Sequence, residues 1–544
     1  MIIDAFLLDQ NKTIETEVCI VGGGTAGITL ARELIKQKFR VCLLESGGLK
    51  PDKETQALQW GENVGNPYFS LDTARPRYLG GTTNSWHLAI GQDCSRARMR
   101  PLDEIDFEKR DWVPYSGWPF PKSHLDPFYD RAQAVCKIEP TTFAVEDWED
   151  SRERPHLQFK GDEVKTVIFK FGSRYPFIKD YIEQIDQAPN ITTYLHANVV
   201  EIETDTLDNA VTRLRVTTLN GKKFWVSAKF YILAAGAIEI SRLLLVSNKV
   251  QKTGVGNQFD LVGRFFMEHP HCTDGLFVPS NQNIFKSTGL YNRVHLVKNV
   301  PIIGKLGLSA IAQRRERLLN HVVELFPMIT LKAFLNKYPI IDSTSVRSLR
   351  TLVRSRDKDI NIGAHLRNVI NGLDDVLITA YRHTKSRALG AIDRKRIKVF
   401  VLASMGEQVP NPKSRVILKE ERDSLGVNRV ALDWRLSPVD INNIIRTHGI
   451  LDEVVQRSGL GRVYNQLYYE IPSTVSGGWH HMGVTRMHSD PKRGVVDEHC
   501  RVHGISNLFI AGPSTFPTSG CANPVLTIVA LSIRLADHVK QLLK

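Results

Sequence analysis

Three spaced glycines between an apolar run and a helix-like segment constrain the fold of this chain more than any other feature. The pattern is Gly22-x-Gly24-x-x-Gly27, and it follows the apolar run Val18–Val21. Gly22 permits a tight turn, Gly24 leaves room for a pyrophosphate against the backbone, and Gly27 lets the helix pack close to the strand. The pattern predicts a dinucleotide site with its phosphates at a helix N-terminus.

A second strand-like run, 40–45, ends in a carboxylate. Glu45 follows Gly27 by roughly the 20 residues expected for an acid that accepts hydrogen bonds from an adenosine ribose. A carboxylate at that place disfavours a 2′-phosphate. The motif by itself does not decide between NAD and FAD.

Two more strand-to-turn patterns lie far along the chain, at Phe230–Gly236 and Asn507–Gly512. They predict one α/β domain, of the Rossmann-type doubly wound class, assembled from discontinuous segments. This three-piece arrangement disfavours an ordinary NAD dehydrogenase. We expect the rest to form an α+β second domain whose antiparallel sheet roofs the cofactor. The predicted division is 1–100, 190–275 and 480–544 for the cofactor domain, and 101–189 and 276–479 for the substrate domain.

The net charge of +13 is unevenly placed, since residues 305–398 hold 19 Lys and Arg against 8 Asp and Glu. No recognition motif accompanies this charge, so a nucleic-acid partner is not expected. We interpret the stretch as a basic helical insertion with a solvated or membrane-facing surface, which leaves peripheral membrane contact open. Arg314–Leu319 and Val322–Ile329 together predict a helix whose apolar face packs on its own protein.

Seven cysteines are scattered without a CxxC pair or a zinc spacing. Their odd number and spacing predict reduced thiols and no metal site. The N-terminus lacks the basic start and apolar core of a signal peptide. No apolar stretch reaches the ~20 residues that span a bilayer. We therefore expect a cytoplasmic protein.

Several separate segments of the chain match one known family. They are Gly22–Glu45, Arg77–Trp86, Ala234–Glu239, Gly263–Pro270, Glu407–Arg415, Leu432–Arg435 and Trp479–Val539. Together they resemble the glucose–methanol–choline (GMC) family of FAD-dependent oxidoreductases. The last block is most similar to the sugar-oxidising branch that includes pyranose oxidase, whereas 276–398 carries no resemblance. The resemblance implies FAD and oxidation of a CH–OH group to a carbonyl by hydride transfer to flavin N5.

The resemblance also implies a catalytic pair. It places His480, in His480-His-Met-Gly-Val-Thr-Arg-Met487, as the base, and Asn523, in Asn523-Pro-Val-Leu-Thr527, as its partner. A His suits the task because its unperturbed pKa of ~6.5 lies near neutrality. Asn523 also precedes a predicted helix, whose N-terminal dipole would favour negative charge on reduced flavin. His481 is the alternative base if the motif register is off by one.

The expected FAD contacts extend over all three pieces of the cofactor domain. They are Gly22, Gly24, Thr25, Ala26, Gly27, Glu45, Ser46, Arg77, Gly80, Gly81, Thr82, Asn84, Ser85, Trp86, Val199, Val200, Ala235, Gly236, Gly512, Asn523, Pro524 and Thr527. Some sugar oxidases of the family tether FAD through a His at the position of Ser85. Serine cannot make that bond, so we expect non-covalent FAD.

Substrate contacts are expected from His87, Gln408 and His481. By contrast, His269, His271 and His488 are interpreted as ordinary polar residues. The expected partners are a sugar, glycoside or polyol alcohol and an electron acceptor, either oxygen, a quinone or another molecule. Oligomeric state is left open.

Three other functions stay open at this point. The same fold and base serve cyanohydrin lyases, and fatty-acid photodecarboxylases also occur on it. The third is a non-catalytic flavoprotein scaffold, which the presence of both His480 and Asn523 disfavours.

Overall fold

A computed structural model describes residues 1–90, 93–139, 142–150, 152–281, 283–328, 399–465 and 475–544. The strands are β1 (Ile2–Asp4), β2 (Thr13–Val21), β3 (Val41–Leu44), β4 (Gly61–Asn63), β5 (Leu88–Ile90), β6 (Asp93–Met99), β7 (Val164–Ser173), β8 (Ile191–Leu195), β9 (Asn198–Thr204), β10 (Val211–Thr217), β11 (Lys223–Leu233), β12 (His271–Pro279), β13 (His295–Val297), β14 (Val300–Leu308), β15 (His321–Met328), β16 (Val399–Gly406), β17 (Arg415–Arg422), β18 (Asn428–Asp433), β19 (Gly461–Asn465) and β20 (Leu508–Ile510). The helices are α1 (Thr25–Glu33), α2 (Lys53–Ala57), α3 (Glu104–Phe107), α4 (Lys122–Val135), α5 (Tyr181–Gln187), α6 (Ala237–Val246), α7 (Ile284–Ser287), α8 (Ala310–Glu316), α9 (Pro438–Arg457) and α10 (Val525–Leu542).

The first sheet is the predicted doubly wound core. Its order is β1-β8-β3-β2-β11-β10-β9, and β20 also pairs with β11. Pairing is parallel from β1 to β11 and between β11 and β20, whereas β10 and β9 form an antiparallel edge. Val18, Ile20 and Leu43 are fully buried, as expected for parallel strands covered on both faces. Helices α1 and α10 pack against each other beside this sheet.

The second sheet is antiparallel and has the order β19-β12-β16-β15-β14-β7-β6-β5, with β13 on β14. Helix α9 covers one of its faces, where His448 meets Ser404 of β16 at 2.8 Å. Pro438 at the first turn and a capping box between Ser437 and Asp440 begin this helix. The other face is turned toward the C-terminal segment that carries Asn523, because Phe169, Ile303 and other residues on it pack with Cys521. The antiparallel roof predicted for the second domain is therefore present.

The predicted helix over Val322–Ile329 is wrong, because His321–Met328 is strand β15 between β14 and β16. Val322, Val323, Leu325 and Phe326 are all buried. A strand covered on both faces reads as a continuous apolar run, which periodicity does not distinguish from a buried helix. Arg314 and Arg315 do lie on a helix, α8. The remainder of the basic insertion, 329–398, lies outside the described residues.

The observed packing differs from the predicted domain division at several places. Strands β5 and β6, assigned to the first domain, pair into the second sheet through β7. Strand β12 joins that sheet from His271 onward, before the predicted boundary at 275. Helix α4, assigned to the second domain, packs on α10. These differences arise because the chain passes from one sheet to the other through short connections. No change in composition marks these connections in the sequence.

None of the helices in the described ranges combines the length and apolar character required to cross a membrane.

Candidate active site

A crevice lies at the carboxyl ends of three neighbouring parallel strands. Gly24 follows β2, Gly236 follows β11 and Gly512 follows β20. A Cβ built on any of these three glycines would meet no protein atom within 4 Å. Open doubly wound sheets bind their ligands at this edge, outside the carboxyl ends of the strands. The open floor leaves the room that a dinucleotide needs.

The turn between β2 and α1 is tight because of two other glycines. Gly22 has a φ of +107°. A Cβ on Gly27 would lie 1.9 Å from the carbonyl oxygen of Gly22. Helix α1 can therefore approach the strand only with glycine at 27, and Thr25 and Ala26 are buried in its first turn. Gly22 and Gly27 thus have the conformational and packing roles that the spacing predicts, and the role of Gly24 beside a pyrophosphate stays a prediction.

A second loop lies across this turn and brings the predicted Gly-Gly segment to it. A Cβ on Gly81 would lie 3.1 Å from the Cα of Gly24. The hydroxyls of Thr83 and Thr25 share a hydrogen bond of 2.7 Å. Asn84 Nδ2 donates to the carbonyls of Leu79 and Gly81, which stabilises the loop. Gly80 has a φ of +98°, Thr82 and Ser85 are exposed, and Trp86 is half-buried against Phe177.

The expected adenosine end of the crevice is held together by Glu45, Ser46 and Arg77. Glu45 accepts from the amides of Gly23 at 2.7 Å and Gly47 at 2.8 Å. Burial raises the pKa of its carboxyl. Each carboxylate oxygen retains a lone pair after one hydrogen bond, so a ribose contact remains compatible with this geometry.

Arg77 connects Ser46 to the first turn of α6. Its Nε donates to Ser46 Oγ at 2.5 Å, and its Nη1 lies 3.1 Å from Glu239 Oε1. Burial raises the pKa of Glu239, but nearby guanidinium groups, Arg77 first, outweigh burial and lower it to about 2. Ser46 Oγ also lies 2.5 Å from Asn198 Oδ1, next to Val199 and Val200 of β9. Residues from three predicted segments therefore meet here.

His480 and Asn523 lie in direct contact. The distance between Asn523 Nδ2 and His480 Nε2 is 3.2 Å. Asn523 Oδ1 is buried and has no hydrogen-bond partner among the described residues. Pro524 follows and α10 begins at Val525, with Thr527 Oγ1 2.9 Å from the Tyr129 hydroxyl. The unpartnered oxygen, the open glycine floor and the helix N-terminus together fit a bound flavin.

His269 fixes the tautomer of His480. The Nδ1 atoms of the two rings are 2.9 Å apart, and His269 Nε2 is 3.3 Å from the carbonyl oxygen of Ser519. A carbonyl only accepts, so His269 Nε2 carries the hydrogen and His269 Nδ1 accepts from His480 Nδ1. The lone pair of His480 therefore lies on Nε2, the atom beside Asn523. The sequence did not predict this role for His269, which was interpreted as an ordinary polar residue. The available signal was its place in Gly263–Pro270, one of the segments that resemble the family.

The environment keeps His480 neutral. Burial is the largest cause, and together with the nearby His269 and His271 it holds the pKa of His480 well below its usual range. Glu268 fixes the backbone at this point by accepting from the amides of His480 at 2.9 Å and Gly478 at 3.0 Å. A neutral ring with a lone pair on Nε2 is the state required of a general base.

The three predicted substrate residues lie in different places. Gln408 is fully buried, and its amide bonds the Glu268 amide, the Trp434 indole and the Arg435 carbonyl. The Gln408 side chain therefore supports Glu268 from the side away from solvent, and its substrate role stays a prediction. His481 is buried and its Nε2 bonds the Tyr68 hydroxyl at 2.8 Å. His87 is exposed and bonds Arg174 at 3.0 Å.

Replacing His269 with phenylalanine is expected to slow flavin reduction by roughly 10- to 100-fold, because His480 loses the acceptor that holds its Nδ1 hydrogen. The variant His269→Gln keeps an acceptor oxygen and should recover part of the rate. The measurement is anaerobic stopped-flow reduction of bound flavin across pH 5–9. Equal rates in both variants and the wild type would contradict the tautomer assignment.

A family model described as GMC oxidoreductase matches residues 410–532. The chain is 30% identical over 577 residues to 6'''-hydroxyparomomycin C oxidase of Streptomyces lividus, covering 96% of this chain and 92% of that protein. It is 24% identical over 612 residues to the fructose dehydrogenase large subunit of Gluconobacter japonicus, covering 98% and 99%. A crystal structure of formate oxidase matches with a TM-score of 0.54 at 16% identity, covering 98% of this chain and 99% of the other, which shows a shared fold.

Proposed function

The chain belongs to the GMC oxidoreductase family, and from this premise we propose that it oxidises a hydroxyl-bearing carbon of a sugar, glycoside or related polyol. It is an FAD-dependent oxidoreductase that acts on CH–OH groups. The observation that carries the proposal is the contact of 3.2 Å between His480 Nε2 and Asn523 Nδ2 beside the crevice. Both atoms can address one substrate oxygen.

His480 and Asn523 have different roles in the proposed reaction. The lone pair on His480 Nε2 accepts the hydroxyl proton, and the Nδ2 amide of Asn523 donates a hydrogen bond to the same oxygen. When bound, FAD supplies the acceptor for the hydride. Gly24, Gly236 and Gly512 form the floor on which it would lie, and the N-terminus of α10 favours negative charge beside Asn523. His480 and Asn523 then stabilise and orient the alcohol while its proton leaves.

The named relatives support a polyhydroxylated substrate. One is a dehydrogenase of fructose and the other an oxidase of 6'''-hydroxyparomomycin C. Both are redox enzymes, so the cyanohydrin lyase and the photodecarboxylase are not favoured. The tautomer chain through His269 supplies a base, which a non-catalytic scaffold does not require.

The direct test is anaerobic reduction of the purified protein. We expect a yellow protein whose flavin bleaches with a sugar or polyol and stays oxidised with the corresponding deoxy compound. Acid precipitation should release the flavin into solution, because Ser85 stands where a tethering His would be. A flavin that no polyol in a broad panel bleaches contradicts the proposal, and flavin that remains in the pellet contradicts non-covalent binding.

We further propose that the protein works in the cytoplasm. Five cysteines, Cys19, Cys42, Cys136, Cys500 and Cys521, are buried and form no disulfide within the described ranges, which suits a reducing compartment. Oxygen and a quinone are the candidate electron acceptors, and they are separated by measuring hydrogen peroxide formation against the reduction of a soluble quinone. Peripheral membrane contact through 305–398 and oligomer formation stay predictions.

A further inference from the structure

A charged cluster lies on the face of the second sheet that is turned toward the catalytic pair. It consists of Arg98 on β6, Lys305 on β14 and Glu324 on β15, and we call it the roof cluster. Leu306 pairs with Val323 across β14 and β15, so Lys305 and Glu324 stand beside each other on one face. Strands β6, β14 and β15 therefore bring the three charged side chains together on one face of the second sheet.

The cations of the roof cluster share a single carboxylate oxygen. Arg98 Nη2 lies 2.8 Å and Lys305 Nζ lies 3.4 Å from Glu324 Oε2. Lys305 is 2% exposed and Glu324 is 4% exposed. Arg98 Nε is buried and has no hydrogen-bond partner among the described residues. Within the described part of the chain, a buried lysine and a half-buried arginine thus face one buried carboxylate.

The roof cluster lies on the sheet face that packs against the segment carrying Asn523. Lys305 Nζ lies 4.7 Å from the ring centre of Phe169, and Phe169 packs in a cluster with Cys521, two residues before Asn523. The charge of Lys305 also contributes to lowering the pKa of His480 and His269, a contribution smaller than that of burial. The charge of Lys305 is therefore close enough to His480 to disfavour the protonated form of that ring.

We propose that the roof cluster binds a carboxylate carried by the substrate, so that the preferred substrate is a hydroxy acid of the sugar-acid class. A buried cation is favourable only when an anion balances it, and a carboxylate accepts charge-assisted hydrogen bonds from both Lys305 and Arg98. Anchoring the carboxylate on the roof would hold the rest of the substrate, including its hydroxyl, below it and beside His480. This inference rests on the proposed oxidation of CH–OH groups.

The test compares matched neutral and acidic substrates on the purified holoenzyme. D-Glucitol is compared with D-gluconate, and methyl glucoside with glucuronate, by anaerobic flavin reduction. We expect the acid of at least one pair to give a kcat/KM at least tenfold above its neutral partner, and Lys305→Met to remove that advantage, a loss of roughly 10- to 100-fold for one charge-assisted hydrogen bond. The readout is the ratio of acidic to neutral kcat/KM within each protein, so that any change in rate common to both substrates cancels.

Glutarate, which has no hydroxyl to oxidise, provides a binding measurement independent of turnover. It should perturb the flavin spectrum of the wild type and lose at least tenfold in affinity with Lys305→Met. The matched control is Lys170→Met, since Lys170 is fully buried on the opposite face of the same sheet. A destabilised sheet would affect both variants, whereas an anion subsite affects only Lys305→Met.

The outcomes separate the two proposals. Neutral substrates that reduce the flavin as well as the acids, with glutarate affinity unchanged in Lys305→Met, overturn the roof subsite and leave the alcohol oxidation intact. A flavin that neither class reduces overturns the proposed function and this inference with it.

Discussion

Replacing His480 with alanine is expected to slow reduction of the bound flavin by an alcohol by about 10²- to 10⁴-fold. The reason is that the hydrogen bond to His269 puts the lone pair of His480 on Nε2, the ring atom that contacts Asn523 Nδ2. Without it, the hydroxyl proton has no positioned acceptor as the hydride leaves carbon. The measurement is single-turnover flavin bleaching under anaerobic conditions at saturating alcohol.

The adjacent histidine provides the matched control. His481 is buried beside Phe266 and bonds the hydroxyl of Tyr68, so His481→Gln should change the rate by a factor of about ten at most, the effect of a single neutral hydrogen bond. Flavin content and the thermal midpoint should stay comparable in both variants. A large loss with His481→Gln and a small one with His480→Ala would shift the base by one residue and overturn the assignment.

Much of the fold could be predicted because glycine spacing and strand patterns are local signals. The turn at Gly22–Gly27 and the strands leading to Gly236 and Gly512 each lie within a short stretch, and parallel pairing then brings them together. Strand β15 was not predicted, because a strand buried on both faces has no period-two alternation. The segment is a strand because it pairs with β14 and β16, and this pairing cannot be predicted from the residues of β15 alone.

The candidate site, like the fold, could be predicted only where the signal is local in sequence. His480 and Asn523 were predicted by resemblance, but the role of His269 depends on a ring contact across 211 residues of sequence and on the carbonyl of Ser519. The contact of Gln408 with the backbone of Glu268 could not be predicted either, because an amide in a matching segment looks the same in sequence whether it faces a ligand or supports a neighbouring residue. Tertiary hydrogen bonds decide such roles.

Replacing two glycines of the same motif with alanine is expected to have different effects: Gly27→Ala lowers the stability of the apoprotein, and Gly24→Ala lowers FAD affinity. The variant Gly27→Ala places a Cβ 1.9 Å from the carbonyl oxygen of Gly22, so strand β2 and helix α1 must separate. We expect the apoprotein to lose about 1–3 kcal/mol of unfolding free energy, the usual effect of overpacking, and flavin binding to fall with it. Denaturant unfolding of the apoprotein measures the loss.

Gly24→Ala should leave the apoprotein within about 1 kcal/mol of the wild type, because its φ of −86° suits alanine and its Cβ meets no protein atom within 4 Å. The same Cβ enters the space that a pyrophosphate would occupy against the backbone, so FAD affinity should fall by roughly 10- to 100-fold as charge-assisted hydrogen bonds to the phosphates are lost. Titration of apoprotein with FAD measures the affinity. The open space beside Gly24 is the proposed position of the phosphates. Unchanged FAD binding in Gly24→Ala would therefore show that the phosphates lie elsewhere, whether or not Gly27→Ala is destabilised as expected.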